Sequence, residues 1–320
     1  MLTWNNLTDG ISLVKERSNR TNRLNSLIIE DHEGPDILID SNYPFDDIDQ
    51  LYSRIDAPAK LLCSHGHLDH TAHAFYHLNK YKTQIVCPIQ EKDYLTNFEH
   101  LLDIIGFKKL NLDSKYRMMT KEYMKFSECE EVSTFSPGKD NFQTNHYKIE
   151  SIHIPGHSPG HTAFSIQSFN NKSTPILFVS DIGSHPYYGD LNSNLTEYRN
   201  SIDKLEKIYL SKNYFLIPAH GNYYLEREDD FFERIRQKIN KNKKKILASL
   251  KRDAFLSIKE LVEMRILTPP ERIFQPIKDL YYLWDGGMIF NHMRELLKED
   301  EVQEIKGETF LQNKYKLKLV

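Results

Sequence analysis

The stretch Ser64-His65-Gly66-His67-Leu68-Asp69-His70 places three histidines and a carboxylate within seven consecutive residues. All four side chains carry lone pairs suited to a divalent cation such as zinc. The run Lys60-Leu61-Leu62-Cys63-Ser64 just before it reads as a buried strand, a rigid base for the histidine-rich turn. Gly66 permits a tight turn. In a loop geometry His65 and His67 face one cation, while Asp69 and His70 face a neighbouring one.

Working outward, three later segments each end an apolar strand with a further donor. Ile154–Thr162 (IPGHSPGHT) offers His157 or His161, Ile176–Gly183 (ILFVSDIG) offers Asp181, and Phe215–Gly221 (FLIPAHG) offers His220. The inventory is then five histidines and two aspartates. A carboxylate shared between two groups of ligands can bridge two cations roughly 3.5–4 Å apart. A single strand-end His or Asp reads as a cap or a hydrogen-bonded structural residue. Seven at strand-to-loop junctions do not, because burying that many titratable groups without partners is costly.

The surrounding chain interleaves strands and helices up to about residue 222. Strands are expected at 11–14, 25–30, 36–40, 60–64, 85–88, 147–154, 162–169, 175–181 and 214–218. Helices are expected at 47–55, 71–81 and 195–209, with an amphipathic stretch at 90–105. Residues 106–130 read as a partly helical insertion; Tyr116, Met118, Met119, Tyr123, Met124 and Phe126 suit a lid, a dimer contact or, equally, core packing. After His220 the character changes. Phe232, Ile235, Ile239, Ile246 and Leu250 form one apolar stripe on a long helix. Further helices at 257–265 and 287–298 and a two-stranded ribbon turning near Gly307 suggest a small winged-helix-like appendage. The 320 residues therefore divide into a domain of residues 1–222 and a helical one of residues 223–320.

Composition excludes several classes. With 39 % hydrophobic and 27 % charged residues the chain can build a core and is not disordered. No apolar run approaches the ~18 residues of a membrane span. The first residues, MLTWNNLTDG, contain no secretory pattern. Three cysteines suit a reducing compartment, so a cytoplasmic location is expected. A net charge of −3 argues against a nucleic-acid-binding polycation.

The order HxHxDH, PGHSPGH, strand-end Ser-Asp and PAHG resembles the metallo-β-lactamase superfamily, glyoxalase II-like members included. The resemblance covers about residues 10–222. It implies an α/β (α+β) fold, an αββα sandwich with the site at one edge between two sheets. It implies that His65, His67 and His157 hold a first metal, that Asp69, His70 and His220 hold a second, and that Asp181 bridges them. Asp40 and His161 then support the ligands without being ligands. With all seven positions present, the mono-iron persulfide-dioxygenase branch is disfavoured. Residues 223–320 loosely resemble the branch of lactamase-beta-like hydrolases with a C-terminal winged-helix-type domain, which contains both thioesterases and an endoribonuclease.

Two divalent metals, zinc as the expected ion with iron or manganese as alternatives, supply hydroxide at neutral pH. The implied activity is that of a metal-dependent hydrolase, with a bridging hydroxide held by Asp69 attacking an ester, thioester or lactone. The alternative is a phosphodiesterase or endoribonuclease acting on RNA or a small nucleotide. Nine Lys/Arg lie between Arg234 and Arg252 and could contact phosphates, although a solvated helix face is the preferred reading. Loops carrying His185, Tyr187, Tyr188, Asn222 and Tyr223 are candidates for substrate contact. A homodimer is conceivable through the insertion.

Overall fold

Residues 2–16, 24–31, 36–55, 60–170 and 172–318 are described by the computed structural model. Runs of Ile, Val and Leu bounded by polar turns pair into sheets because they can bury both faces. Strands β1 (Leu2–Thr8), β2 (Ile11–Glu16), β3 (Asn25–Ile29) and β4 (Ile37–Ile39) pair antiparallel in chain order. Helix α1 (Phe45–Tyr52) leads to β5 (Lys60–Leu62). Helices α2 (Leu68–Thr71) and α3 (Ala74–Tyr81) lead to β6 (Gln84–Pro88). Helices α4 (Lys92–Thr96), α5 (Phe98–Ile104) and α6 (Asp113–Met119) precede β7 (Ser133–Phe135). Strands β4 to β7 are parallel and complete a seven-stranded sheet.

The second sheet contains β8 (Asn141–Gln143), β9 (Tyr147–His153), β10 (Thr162–Ser168), β11 (Ile176–Ser180) and, after α7 (Leu195–Ser211), β12 (Phe215–Pro218). Its order is β12-β11-β10-β9-β8. Alternation along its strands divides the side chains between two layers. Phe164, Ile166, Ile176 and Phe178 enter the core between the sheets. Ala163, Leu177 and Val179 turn outward against α7 and the first half of α8 (Phe231–Ser249). The result is the αββα sandwich.

The remaining chain adds β13 (Leu256–Ser257), α9 (Ile258–Glu263), α10 (Tyr281–Lys298), β14 (Val302–Ile305) and β15 (Lys314–Leu317). Ser257 and Glu260 close a capping box at the start of α9. Ile246 and Leu250 join α9, α10 and the strands in a separate apolar cluster. The long helix α8 thus packs on the sandwich through its first half and on the C-terminal cluster through its second.

Four local expectations are refined. The sequence pattern does not predict β1, since Trp4-Asn5-Asn6 breaks its apolar run; pairing with β2 forms it. The helix expected at 71–81 starts at Leu68 and divides at Ala72 and His73. The stretch at 90–105 divides at Asn97, whose side chain caps α5 by accepting from the His100 N–H. The C-terminal ribbon gains a third strand, because β13 pairs with β15.

Candidate metal centre

Each donor is delivered by the end of an element. β5 ends just before His65, and α2 begins between His67 and Asp69, so the seven-residue motif wraps one helix N-terminus. His157 sits in the loop after β9, Asp181 directly succeeds β11, and His220 lies just past β12. The chain leaves β4 at Asp40 with φ 49° and β11 at Ser180 with φ 50°. Both are non-glycine residues in the left-handed region, a cost tolerated at functional sites. Gly156 (φ 118°) lets the His157 loop lie on α7; a Cβ there would stand 2.1 Å from the Tyr198 nitrogen.

Two groups of donors result: His65, His67 and His157; and Asp69, His70, Asp181 and His220. Within each group the donor atoms lie within 4.8 Å of one another. Asp181 faces both groups. Its Oδ1 is 3.0 Å from His70 Nε2 and 3.5 Å from His220 Nε2, and its Oδ2 is 3.4 Å from His157 Nε2. His157 Nε2 and His65 Nε2 are 3.2 Å apart, as are His220 Nε2 and His70 Nε2.

The opposite ring nitrogens identify which lone pairs remain. His70 Nδ1 meets Asp40 Oδ2 at 2.8 Å, and His157 Nδ1 donates to the Tyr187 carbonyl at 2.9 Å. His67 Nε2 lies 2.9 Å from Asp190 Oδ2. In the neutral rings the free nitrogens then point lone pairs at one another and at Asp181. Such an arrangement fits a shared Lewis acid, with carboxylate and carbonyl partners orienting each imidazole from behind. Asp40 also accepts from the Ser64 N–H and hydroxyl, both at 2.7 Å, tying β4 to the motif.

His161 differs from His157 in kind. Its Nδ1 donates to the Ile154 carbonyl at 3.1 Å, and its Nε2 accepts from the Asp181 N–H at 3.1 Å. Both nitrogens are used, so His161 holds the backbone of Asp181.

Electrostatics reflect burial and neighbours. Burial pushes His65 and His161 well below the ordinary histidine value and His157 down to about 4. At His67 burial opposes charge, but the Asp190 carboxylate raises it to about 9. At His70 burial again opposes charge, while Asp181, Asp40 and Asp69 raise it well above the ordinary value. At Asp69 crowding by the cluster displaces water and works upward, yet His70 and His220 hold the carboxyl below its ordinary range. The carboxylates make this a site that attracts positive charge.

A cavity of about 560 Å³ opens onto this cluster. His67, Asp69, His157, Asp181 and His220 form its polar end. Leu101, Ile105, Phe107, Tyr116, Met119 and Met124 form one apolar wall, so the insertion contributes lining. Tyr281, Trp284 and Met288 of α10 form another. His185 and Tyr187 line the cavity, whereas Tyr188, Asn222 and Tyr223 are not among its lining residues. Tyr188 is buried, with its hydroxyl 2.8 Å from His292 Nε2. Tyr223 packs against the main core, because the chain pairs back along β12 at Tyr224.

Two residues of the centre escape the sequence reading. The fully buried Glu91 accepts from the Gly66 N–H and, at 2.5 Å, from the Gly160 N–H, clasping the loops that carry His67 and His157. Asp190, besides meeting His67, accepts from the Tyr187 hydroxyl at 2.6 Å. Neither lies in a motif; only their burial reveals them. Cys63, read as core, is buried, and burial pushes its thiol well above the ordinary value.

The family model of the metallo-beta-lactamase superfamily matches residues 22–220. A beta-lactamase domain protein from Burkholderia ambifaria superposes with TM-score 0.71 at 13 % identity, covering 98 % of this chain and 93 % of its own. A metallo-beta-lactamase family protein from Thermus thermophilus does so with TM-score 0.71 at 14 % identity, covering 98 % and 100 %. A B3 metallo-beta-lactamase with an active-site glutamic acid covers 71 % of this chain and 85 % of its own, with TM-score 0.52 at 16 % identity. The first two share the fold through the C-terminal elements as well. No curated protein sequence matches the chain. The matched family model, the sandwich and the two clustered donor groups lead to one conclusion: the chain belongs to the metallo-beta-lactamase superfamily and is a metal-dependent hydrolase.

Proposed function

We propose that the protein is a dinuclear hydrolase that cleaves an ester, thioester or lactone bearing an apolar acyl group. The observation that carries this reading is the cavity lining: aliphatic and aromatic walls beside the metal centre, and no Lys or Arg among the lining residues. A polyanion needs cationic contacts to its phosphates. An acyl chain needs apolar wall.

In this reading His65, His67 and His157 hold one cation, Asp69, His70 and His220 the other, and Asp181 both. Divalent metal held by these residues, zinc in our reading, would supply a water that ionises near neutral pH and a Lewis acid for the oxygen under attack. Asp69, with its side chain 41 % exposed beside His220, would orient the attacking water by accepting its hydrogen bond. Asp40, Asp190 and the Tyr187 carbonyl hold the histidine rings in place, and Glu91 fixes the two ligand loops relative to each other. Residues 223–320, which we read as a winged-helix-type domain, close one wall of the cavity through α10.

Four of the nine basic side chains in segment 234–252 are engaged within the fold. Arg234 pairs with Glu228 at 2.6 Å, Arg236 with Asp203 at 2.9 Å, and Lys243 with Glu301 at 3.2 Å. Lys238 donates to the Ser184 carbonyl. For these four residues the contacts favour a structural role over an RNA track.

The test is a panel of an acyl thioester, a lactone, bis-p-nitrophenyl phosphate and single-stranded RNA, with zinc-loaded protein. Turnover of the thioester or lactone alone is expected. Cleavage of RNA or the phosphodiester with no acyl turnover would overturn the reading.

A further inference from the structure

Six hydroxyl-bearing residues line the cavity: Tyr116, Ser180, Ser184, Tyr187, Thr268 and Tyr281. Five of these hydroxyls are engaged. Ser180 meets the Ser64 hydroxyl at 2.7 Å, Ser184 meets His185 Nδ1 at 3.0 Å, and Tyr187 donates to Asp190 at 2.6 Å. Thr268 donates to Asp285 at 2.8 Å, and Tyr281 to the Arg272 carbonyl at 3.5 Å. The Tyr116 hydroxyl alone has no hydrogen-bond partner among the described residues. Its oxygen keeps accessible surface, although the residue as a whole is only 8 % exposed. A hydroxyl set into an apolar wall loses hydration that nothing in this fold replaces, so an acceptor brought to it is favoured.

Ring and helix hold this hydroxyl in place. The Tyr116 ring stacks on Phe107, with centroids 4.0 Å apart and planes at 22°, and lies 6.2 Å from Phe98. Its helix α6 is tied down from outside. Arg117 donates to Glu99 of α5 at 2.8 Å, and Lys115 pairs with Asp279, just before α10, at 3.6 Å. The hydroxyl stands where the apolar wall meets the histidine cluster. Burial pushes it well above the ordinary tyrosine value, and the Asp190 and Asp69 carboxylates add to that push. It acts in turn on the Tyr187 hydroxyl, which Asp190 joins to His67. At neutral pH Tyr116 therefore keeps its proton and serves as a donor.

We propose that Tyr116, delivered by the insertion, is a catalytic residue that donates a hydrogen bond to the carbonyl oxygen of the acyl substrate. The proposal rests on the acyl-hydrolase reading for the bond that is cut. Hydroxide adds its electron pair to the carbonyl carbon, and the carbon–oxygen π pair moves onto the acyl oxygen. Return of that pair expels the thiolate or alkoxide. The tyrosine keeps its proton throughout, and its hydrogen bond strengthens as the acyl oxygen gains charge.

The test compares zinc-loaded wild type with Tyr116→Phe, which removes the hydroxyl and leaves the ring stack, and with Tyr116→Leu. Folding is checked by circular dichroism and zinc content by mass spectrometry, and the comparison uses whichever variants match the wild type in both. On a hexanoyl thioester and a lactone, kcat is expected to fall about 100-fold with KM close to wild type, the signature of a donor that acts on developing charge. An unchanged kcat overturns the proposal, including the case where KM alone rises. A second measurement is independent of turnover. Hexylboronic acid takes up hydroxide to become a tetrahedral anion, and its affinity is measured by calorimetry. The variants should bind it about 10–100-fold more weakly than the wild type, the range of a hydrogen bond to a charged group. If the wild type hydrolyses neither substrate, the acyl-hydrolase reading fails and the boronate comparison alone decides the role of Tyr116. A weaker-binding variant then supports the donor, and equal binding, or none by any of the proteins, overturns it.

Discussion

The divide between His157 and His161 is a matter of single lone pairs. Sequence spacing leaves the two equivalent, since both stand in the same loop as Pro-Gly-His. Only the hydrogen bonds of His161 to Ile154 and Asp181 show that it has no nitrogen left to offer. The seven clustered donors are legible because motif order places them at strand ends. Glu91 and Asp190 are not, because a carboxylate that binds backbone N–H groups or orients a ring obeys no periodicity. Both carry predictions. Asp190→Asn should weaken zinc affinity about 10–100-fold, measured by competition with a chelator; unchanged affinity would remove Asp190 from the centre. Glu91→Ala leaves two buried N–H groups unmatched, at about 1–3 kcal/mol each. Denaturant unfolding should show a loss of that order, and a stable variant would show that water replaces the clasp.

At the scale of elements, strand and helix order is readable from apolar runs, and boundaries shift where tertiary contact overrides local preference. Helix α10 is the instructive case. The sequence pattern places this helix at 287–298, and glycine is a poor helix former. The helix in fact begins at Tyr281 and runs through Gly286 and Gly287. Contact with Gly189 requires a bare backbone there, a tertiary demand with no local signature. Gly287→Ala should therefore destabilise the fold by about 1–3 kcal/mol despite the better helix propensity of alanine. It should also raise KM for an acyl substrate, because the displaced helix carries one cavity wall. A thermal melt matching the wild type would contradict this packing.

Across the whole molecule, the length of the chain suggests two units, and the structure supplies a large sandwich core and a separate C-terminal cluster joined by α8. Among the described residues no helix is long and apolar enough to cross a membrane. Two histidines outside the two donor groups report on global stability. Burial lowers His77 and His292 each to about 3. The unfolded chain, near the ordinary 6.5, binds these protons first. Stability from both is thus complete above about pH 6.5 and declines as pH falls toward about 3. The slope is about 1.4 kcal/mol per pH unit for each histidine. Unfolding at pH 7, 6 and 5 should show that trend, and His292→Gln should flatten it if the variant folds.

The proposed dinuclear centre is tested most directly by metal stoichiometry. Purified wild type, His157→Ala and His220→Ala are loaded with zinc, passed through a desalting column and measured by inductively coupled plasma mass spectrometry, with thioester turnover recorded on the same samples. The wild type should retain about two equivalents per chain. Each variant should lose at least one equivalent and its turnover together. Full turnover with one equivalent or none, or two equivalents retained in both variants, would contradict the assignment of these residues as the two halves of one metal centre.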